Sequence, residues 1–95
     1  MEDKRLSKEE IEKKIKELSD WKEESEKIIK EYEFPNFKSA FDFVNKIVKI
    51  AEYENHHPDI LLSYKKIKVF LTTHKLDGLS DKDFSIAKKI DEILK

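Results

Sequence analysis

The sequence predicts an α+β domain in two layers: a four-stranded antiparallel sheet with helices packed on one face, in the order α-β-β-α-β-β-α. Three observations lead there. Apolar residues recur at helical spacing in three segments and alternate in the segments between them. The stretches Leu6-Ser7-Lys8-Glu9-Glu10-Ile11 and Leu79-Ser80-Asp81-Lys82-Asp83-Phe84 carry the same helix-start signature. The strand-like segments come as two pairs separated by a helix, an order that suits hairpins in an antiparallel sheet with helices on one side.

The first helix starts at a capping box in which Ser7 caps, Glu10 closes the box and Leu6 can staple onto Ile11. Ile11, Ile15 and Leu18 form a narrow apolar stripe, and Asp20-Trp21 should end the helix. The period then changes. Ile28, Lys30, Tyr32 and Phe34 share one parity and Lys27, Ile29, Glu31 and Glu33 the other, as in a half-buried strand, with Lys22-Glu23-Glu24 as its short hairpin partner. Pro35-Asn36 closes the strand and supplies an N-cap.

A core helix follows, with Phe37, Ala40, Phe41, Val44, Ile47, Val48 and Ala51 on one face and Phe43 and Ile50 widening it. It cannot pass His57, because Pro58 drives the preceding residue out of the α region. Ile60 to Tyr64 reads as a short strand and Lys65-Lys66 as a turn lacking Gly or Asn. In the next strand Ile67, Val69, Leu71 and Thr73 alternate with Lys66, Lys68, Phe70, Thr72 and His74, so His74 should point away from the helix-packed side. Asp77-Gly78, holding the only glycine, marks a turn before Ser80 caps the last helix, whose apolar face is Phe84, Ala87, Ile90 and Leu94.

Residues 1–95 read as one domain, without a linker or low-complexity segment. Charged residues make up 43% of the chain, yet 20 Lys+Arg nearly cancel 21 Asp+Glu, so the basic excess of a phosphate-neutralising nucleic-acid binder is missing. With 38% hydrophobic residues the chain is not of disordered composition. A domain this short buries roughly 60–65% of its unfolded surface. With no cysteine to supply disulfides or thiolate ligands, partner subunits are the expected reinforcement. No apolar run approaches the roughly 18 residues of a membrane span, and the opening MEDKRLSKEE is too charged for a signal peptide, so the cytoplasm is the expected compartment.

The chemistry concentrates in three histidines, His56, His57 and His74, at element ends next to loops. Histidine is the side chain whose unperturbed pKa lies near neutrality. Adjacent residues in extended backbone point to opposite sides, so His56 and His57 should have different jobs. Glu52, four residues before His56, is placed to orient an imidazole. Blander readings compete: paired histidines beside a proline are often only a polar helix terminus, Asp83 belongs to a capping box, and a lone Trp21 after a helix is more often core than ligand platform. Three histidines could also bind zinc. However, His56-His57-Pro58 diverges two of them, and there is neither H-E-x-x-H nor cysteine, so no metal is expected. The residues support acid–base chemistry or polar ligand binding without naming a substrate.

The string Glu52-x3-His56-His57-Pro58-x5-Tyr64-x9-His74-x8-Asp83 resembles the signature of the pterin-4a-carbinolamine dehydratases. So do Phe37-Lys38-Ser39-Ala40-Phe41, Asn55 to Asp59, Thr73-His74 and Gly78-Leu79-Ser80, and the likeness covers roughly Ser7 to Leu94. It implies a two-layer α+β fold with a four-stranded antiparallel sheet, a homodimer or homotetramer, a pterin as small-molecule partner, and no metal or redox cofactor. It implies a reaction in which a 4a-hydroxytetrahydropterin loses water to give the quinonoid dihydropterin. By that resemblance His56 and His74 are the acid–base candidates, and His57 binds, orients or shares the proton transfer. Asp83 would anchor His74 or a ring hydrogen bond, Glu52 would support the first histidine, and Trp21 would wall the flat ring. The competing reading is a non-catalytic protein-binding module on the same scaffold, without direct contact to nucleic acid or membrane.

Overall fold

The structure is a computed structural model that describes residues 4–95. Helix α1 spans Lys8–Ile15 and opens on the expected capping box. The Glu10 carboxylate accepts the Ser7 amide at 2.8 Å, and the Ser7 hydroxyl accepts the Glu10 amide at 3.2 Å. These bonds hold the Glu10 carboxyl below its ordinary value. The helix ends at Ile15, well before Asp20-Trp21. Leu18 therefore packs on the core from the connection rather than from the helix. Asp20, in the left-handed region (φ 64°), turns the chain into the sheet.

Strands β1 (Lys22–Glu24) and β2 (Lys27–Glu33) form the expected hairpin. Ser25 and Glu26 both have positive φ, which is the type I′ arrangement that matches strand twist. Helix α2 (Phe37–Glu54) is capped by Asn36, whose side chain accepts the Ser39 amide at 2.8 Å. Strands β3 (Asp59–Ser63) and β4 (Lys66–Leu71) form the second hairpin. Its turn is Tyr64-Lys65, one residue earlier than the sequence indicated, with Tyr64 left-handed. Helix α3 spans Asp81–Glu92. None of the described helices is long and apolar enough to cross a membrane.

The sheet order is β1-β2-β4-β3 with every neighbouring pair antiparallel, so the two hairpins join through β2 and β4, from Ile28↔Leu71 to Glu33↔Lys66. Alternation sends Ile28 and Tyr32 of β2, and Ile67, Val69 and Leu71 of β4, into the core. There they meet Ala40, Phe43 and Ile47 of α2 and Phe84, Ile86, Ala87 and Ile90 of α3.

Two apolar faces differ from expectation. In α2 the sheet covers the stripe Ala40, Phe43, Ile47 and Ala51, while Phe37, Phe41 and Val48 stay about half exposed. The segment is apolar over more arc than one sheet can cover, and the uncovered stripe lies about a quarter turn round the helix. In α3, Ile86 is buried and Leu94, beyond the helix, is exposed.

At the far end of α3 from its cap, Asp91 gathers three donors. The Trp21 indole N–H donates to Oδ2 at 3.0 Å, and the Tyr32 hydroxyl and the Lys30 ammonium donate to Oδ1 at 2.7 and 2.8 Å. This ties α3 to β2 and to the α1–β1 connection. Burial, with the Asp91 carboxylate beside it, pushes the Tyr32 phenol far above its ordinary value.

Candidate active site

The histidine pair exists where it does because α2 stops abruptly. Asn55 takes the left-handed conformation (φ 53°), with its amide on the Glu52 carbonyl and the His56 amide on the Ala51 carbonyl, the bond pair of a Schellman cap. Asparagine tolerates that conformation better than other residues with a Cβ. His56 and His57 then lead through Pro58 into β3.

The third histidine is placed by a loop. Strand β4 ends at Leu71, so the alternation that would carry His74 to the outer face has lapsed. Thr73 bridges to Gly78, its amide donating to the Gly78 carbonyl at 2.9 Å, and His74–Leu76 forms a single 3-10 turn between them. The segment ahead of α1 straps this loop: the Leu6 amide donates to the Leu79 carbonyl at 2.8 Å, and the Arg5 side chain lies across Gly78, where a Cβ would meet it at 2.5 Å.

His56, His57 and His74 line one cavity of about 340 Å³, together with Thr73, Lys75 and Lys82. Two wider clefts, of about 420 and 550 Å³, contain no histidine; one lies over Asp91 and the other between α1 and the β1–β2 turn. The polar convergence expected of a ligand site marks the histidine cavity.

Each histidine of the pair has its own carboxylate, and the pairing differs from the one expected. Asp83 meets His56, not His74: the His56 Nε2 lies 2.7 Å from Asp83 Oδ1. Glu52 meets His57, not His56, with Nε2 2.6 Å from Oε2. The reason is the early end of α2, which removes the one-turn geometry from Glu52 to His56 and swings His56 towards the start of α3. The two pairs differ in setting. Asp83 is fully buried and the His56 side chain only 12% exposed, whereas His57 and Glu52 are largely in solvent. Among the described residues no side chain hydrogen-bonds His74.

Asp83 also closes the α3 capping box, its Oδ2 accepting the Ser80 amide at 3.0 Å. The same oxygen accepts the Thr73 hydroxyl at 2.8 Å, and Thr73 Oγ1 lies 2.7 Å from Ser80 Oγ. The sequence reading gave Thr73 no role. The signal was available: it is a hydroxyl residue on the parity of Ile67, Val69 and Leu71, which the fold buries. The Lys82 ammonium, on the cavity wall, donates to the Glu54 carbonyl at 3.4 Å and joins the start of α3 to the end of α2.

Trp21 is not brought to this cavity. It is buried against Tyr32 and bonded to Asp91, which satisfies the polar tip of an indole in a core. Among the described residues no three His, Asp or Glu side chains are grouped to hold a metal ion.

Comparison with known proteins adds to this geometry. The profile of a family described as pterin 4 alpha carbinolamine dehydratase matches residues 4–93. A protein of Picosynechococcus sp. named "Putative pterin-4-alpha-carbinolamine dehydratase" is 44% identical over 89 residues, 94% of this chain and 97% of its own length. One of Trichodesmium erythraeum with the same name is 47% identical over 85 residues, 90% of this chain and 91% of its own. A crystal structure from Brucella melitensis, described as a transcriptional coactivator/pterin dehydratase, superposes with a TM-score of 0.91 at 30% identity, covering 94% of this chain and 97% of that one. A pterin dehydratase-like protein described as a RuBisCO assembly factor of the alpha-carboxysome shares the fold, with a TM-score of 0.63 at 15% identity over 76% of this chain and 83% of its own.

Proposed function

Because the chain belongs to the pterin 4 alpha carbinolamine dehydratase family, we propose that it dehydrates a 4a-hydroxytetrahydropterin to the quinonoid dihydropterin by histidine general acid–base catalysis, in the regeneration of tetrahydrobiopterin or a related reduced pterin. The observation that carries this reading is the convergence of His56, His57 and His74 on one cavity, with His56 held by a buried carboxylate.

The hydroxyl at C4a leaves well only as water. One group gives a proton to that oxygen, the carbon–oxygen bond breaks, and the adjacent ring nitrogen gives up its proton as the carbon–nitrogen double bond forms. Water and the quinonoid ring account for all the atoms, and no electrons are exchanged with an outside partner. Imidazoles suit both transfers, and a well-placed acid or base contributes about 10²–10⁴-fold. His56 and His74 are the acid–base pair; the exposed His57 with Glu52 binds and orients substrate or shares the transfer. The cavity exceeds the roughly 300 Å³ at which ligand pockets begin.

The test is a hydroxylase-coupled assay that follows decay of the 4a-hydroxy intermediate. The protein should accelerate it, and His56→Ala or His74→Ala should each slow it by about 10²-fold or more while the far-ultraviolet circular dichroism is unchanged. No acceleration where the uncatalysed decay is visible would refute the dehydratase and leave the protein-binding module as the reading to pursue.

Self-association is part of this proposal. The half-exposed Phe37, Phe41 and Val48 stripe of α2 and the one-sided pairing of β3 support a homodimer or homotetramer.

A further inference from the structure

The proton bookkeeping of the buried cluster beneath the cavity is constrained. Thr73 has a single hydroxyl proton, and it goes to Asp83 Oδ2 at 2.8 Å. The 2.7 Å contact between Thr73 and Ser80 must then be Ser80 donating to Thr73. Asp83 Oδ2 accepts both this chain of hydroxyls and the Ser80 amide. Its other oxygen, Oδ1, has one partner, the His56 Nε2 at 2.7 Å. An ionised carboxylate has no proton to give, so Nε2 is the donor and the neutral imidazole carries its hydrogen there. The other ring nitrogen, Nδ1, has no partner among the described residues. None of their buried side-chain polar atoms is left unpaired, so Nδ1 is accessible rather than buried, on a histidine that lines the cavity.

We propose that Thr73 and Ser80 are positioning residues whose hydroxyl chain aims Asp83 at His56, fixing the Nε2–H tautomer and leaving Nδ1 as the atom that exchanges a proton with substrate. This rests on the dehydratase reading for its catalytic consequence, but not for the tautomer. Asp83 is fully buried and both hydroxyl residues are nearly so, which makes the arrangement rigid. Without the Thr73 hydroxyl, Oδ2 keeps only the Ser80 amide and the carboxylate is free to swivel about its own bond. His56 then loses its fixed ring orientation, although the hydroxyl removed is one bonded to Asp83 and Ser80. The effect belongs in kcat, since Thr73→Val leaves every histidine in place.

The experiment pairs nitrogen-15 spectroscopy of the imidazoles with kinetics on the full chain. Wild-type His56 should show the Nε2–H tautomer with an unprotonated Nδ1. Thr73→Val should weaken that signature and lower kcat about ten-fold, the effect of one hydrogen bond to a charged group, with KM little changed; Thr73→Ser should restore both. Ser80→Ala should give a smaller shift in the same direction, and it is the substitute measurement should Thr73→Val not fold. An Nδ1–H tautomer in the wild type overturns the inference, as do an unchanged tautomer and kcat in the folded variants. A wild type without dehydratase activity overturns the functional reading alone, because the tautomer is read without turnover.

Discussion

Tyr32 carries an ionisable group that the fold keeps neutral. Burial acts first and the Asp91 hydrogen bond second, and both raise the phenol. Below the ordinary tyrosine value of about 10 the phenol is neutral in the folded and the unfolded chain, so its contribution to stability is complete there. As the pH rises past that value the unfolded chain releases a proton that the folded chain retains, and stability falls. Tyr32→Phe should therefore cost about 1 kcal/mol at neutral pH, one hydrogen bond, and flatten the alkaline loss. Urea unfolding at a series of pH values reads both, and an equally steep alkaline decline in the variant would contradict the assignment. The contrast with Asp83 is instructive at this scale. Asp91 and Asp83 each gather donors near one end of α3, but those of Asp91 are an indole, a phenol and an ammonium that join elements, while Asp83 has a histidine on its Oδ1.

Helix α2 shows what periodicity tells and what it leaves out. Its existence and its start follow from Asn36 and the spacing of apolar residues, while Pro58 sets only a limit that it cannot pass. Which part of the apolar arc meets the sheet does not follow, because a helix that is apolar over more than one face satisfies the same spacing in several rotations. The uncovered stripe makes a definite prediction. On the proposed self-association, Phe41→Glu should give a smaller species than the unsubstituted chain by light scattering without loss of helical circular dichroism; an unchanged mass would count against an interface on this stripe. The conformation of the turns was illegible for another reason. Ser25, Glu26 and Tyr64 adopt left-handed backbone without glycine or asparagine, so only the strand register, which packing decides, reveals them. The histidines and both carboxylates were legible as a set, yet their pairing turned on α2 stopping at Glu54 and β4 at Leu71, and boundaries of this kind are set by tertiary contacts.

At the scale of the molecule, β2 and β4 are the central strands, each pairing with a strand of both hairpins, and β4 sends Ile67, Val69 and Leu71 into the core with no exposure. Ile67→Ala should cost about 2–5 kcal/mol, a large part of the 5–15 kcal/mol that holds an ordinary domain. Denaturant unfolding followed by the fluorescence of Trp21, the only tryptophan, and by circular dichroism should give one coincident transition at a lower midpoint; separate transitions would show that the two hairpins unfold independently. The α+β class and the order of elements were readable from the alternation of periods, whereas the sheet order was not, because either hairpin could have met the other along either edge. That order has a kinetic consequence. The hairpins close over two-residue turns and form early, but the β2–β4 pairing must wait for a loop containing all of α2 and β3 to close, and such non-local closure is the slow part of folding. His56 precedes the closing strand and Asp83 follows it, so a chain caught with only its local structure formed has helices and hairpins but neither the His56–Asp83 pair nor the cavity that His56 lines.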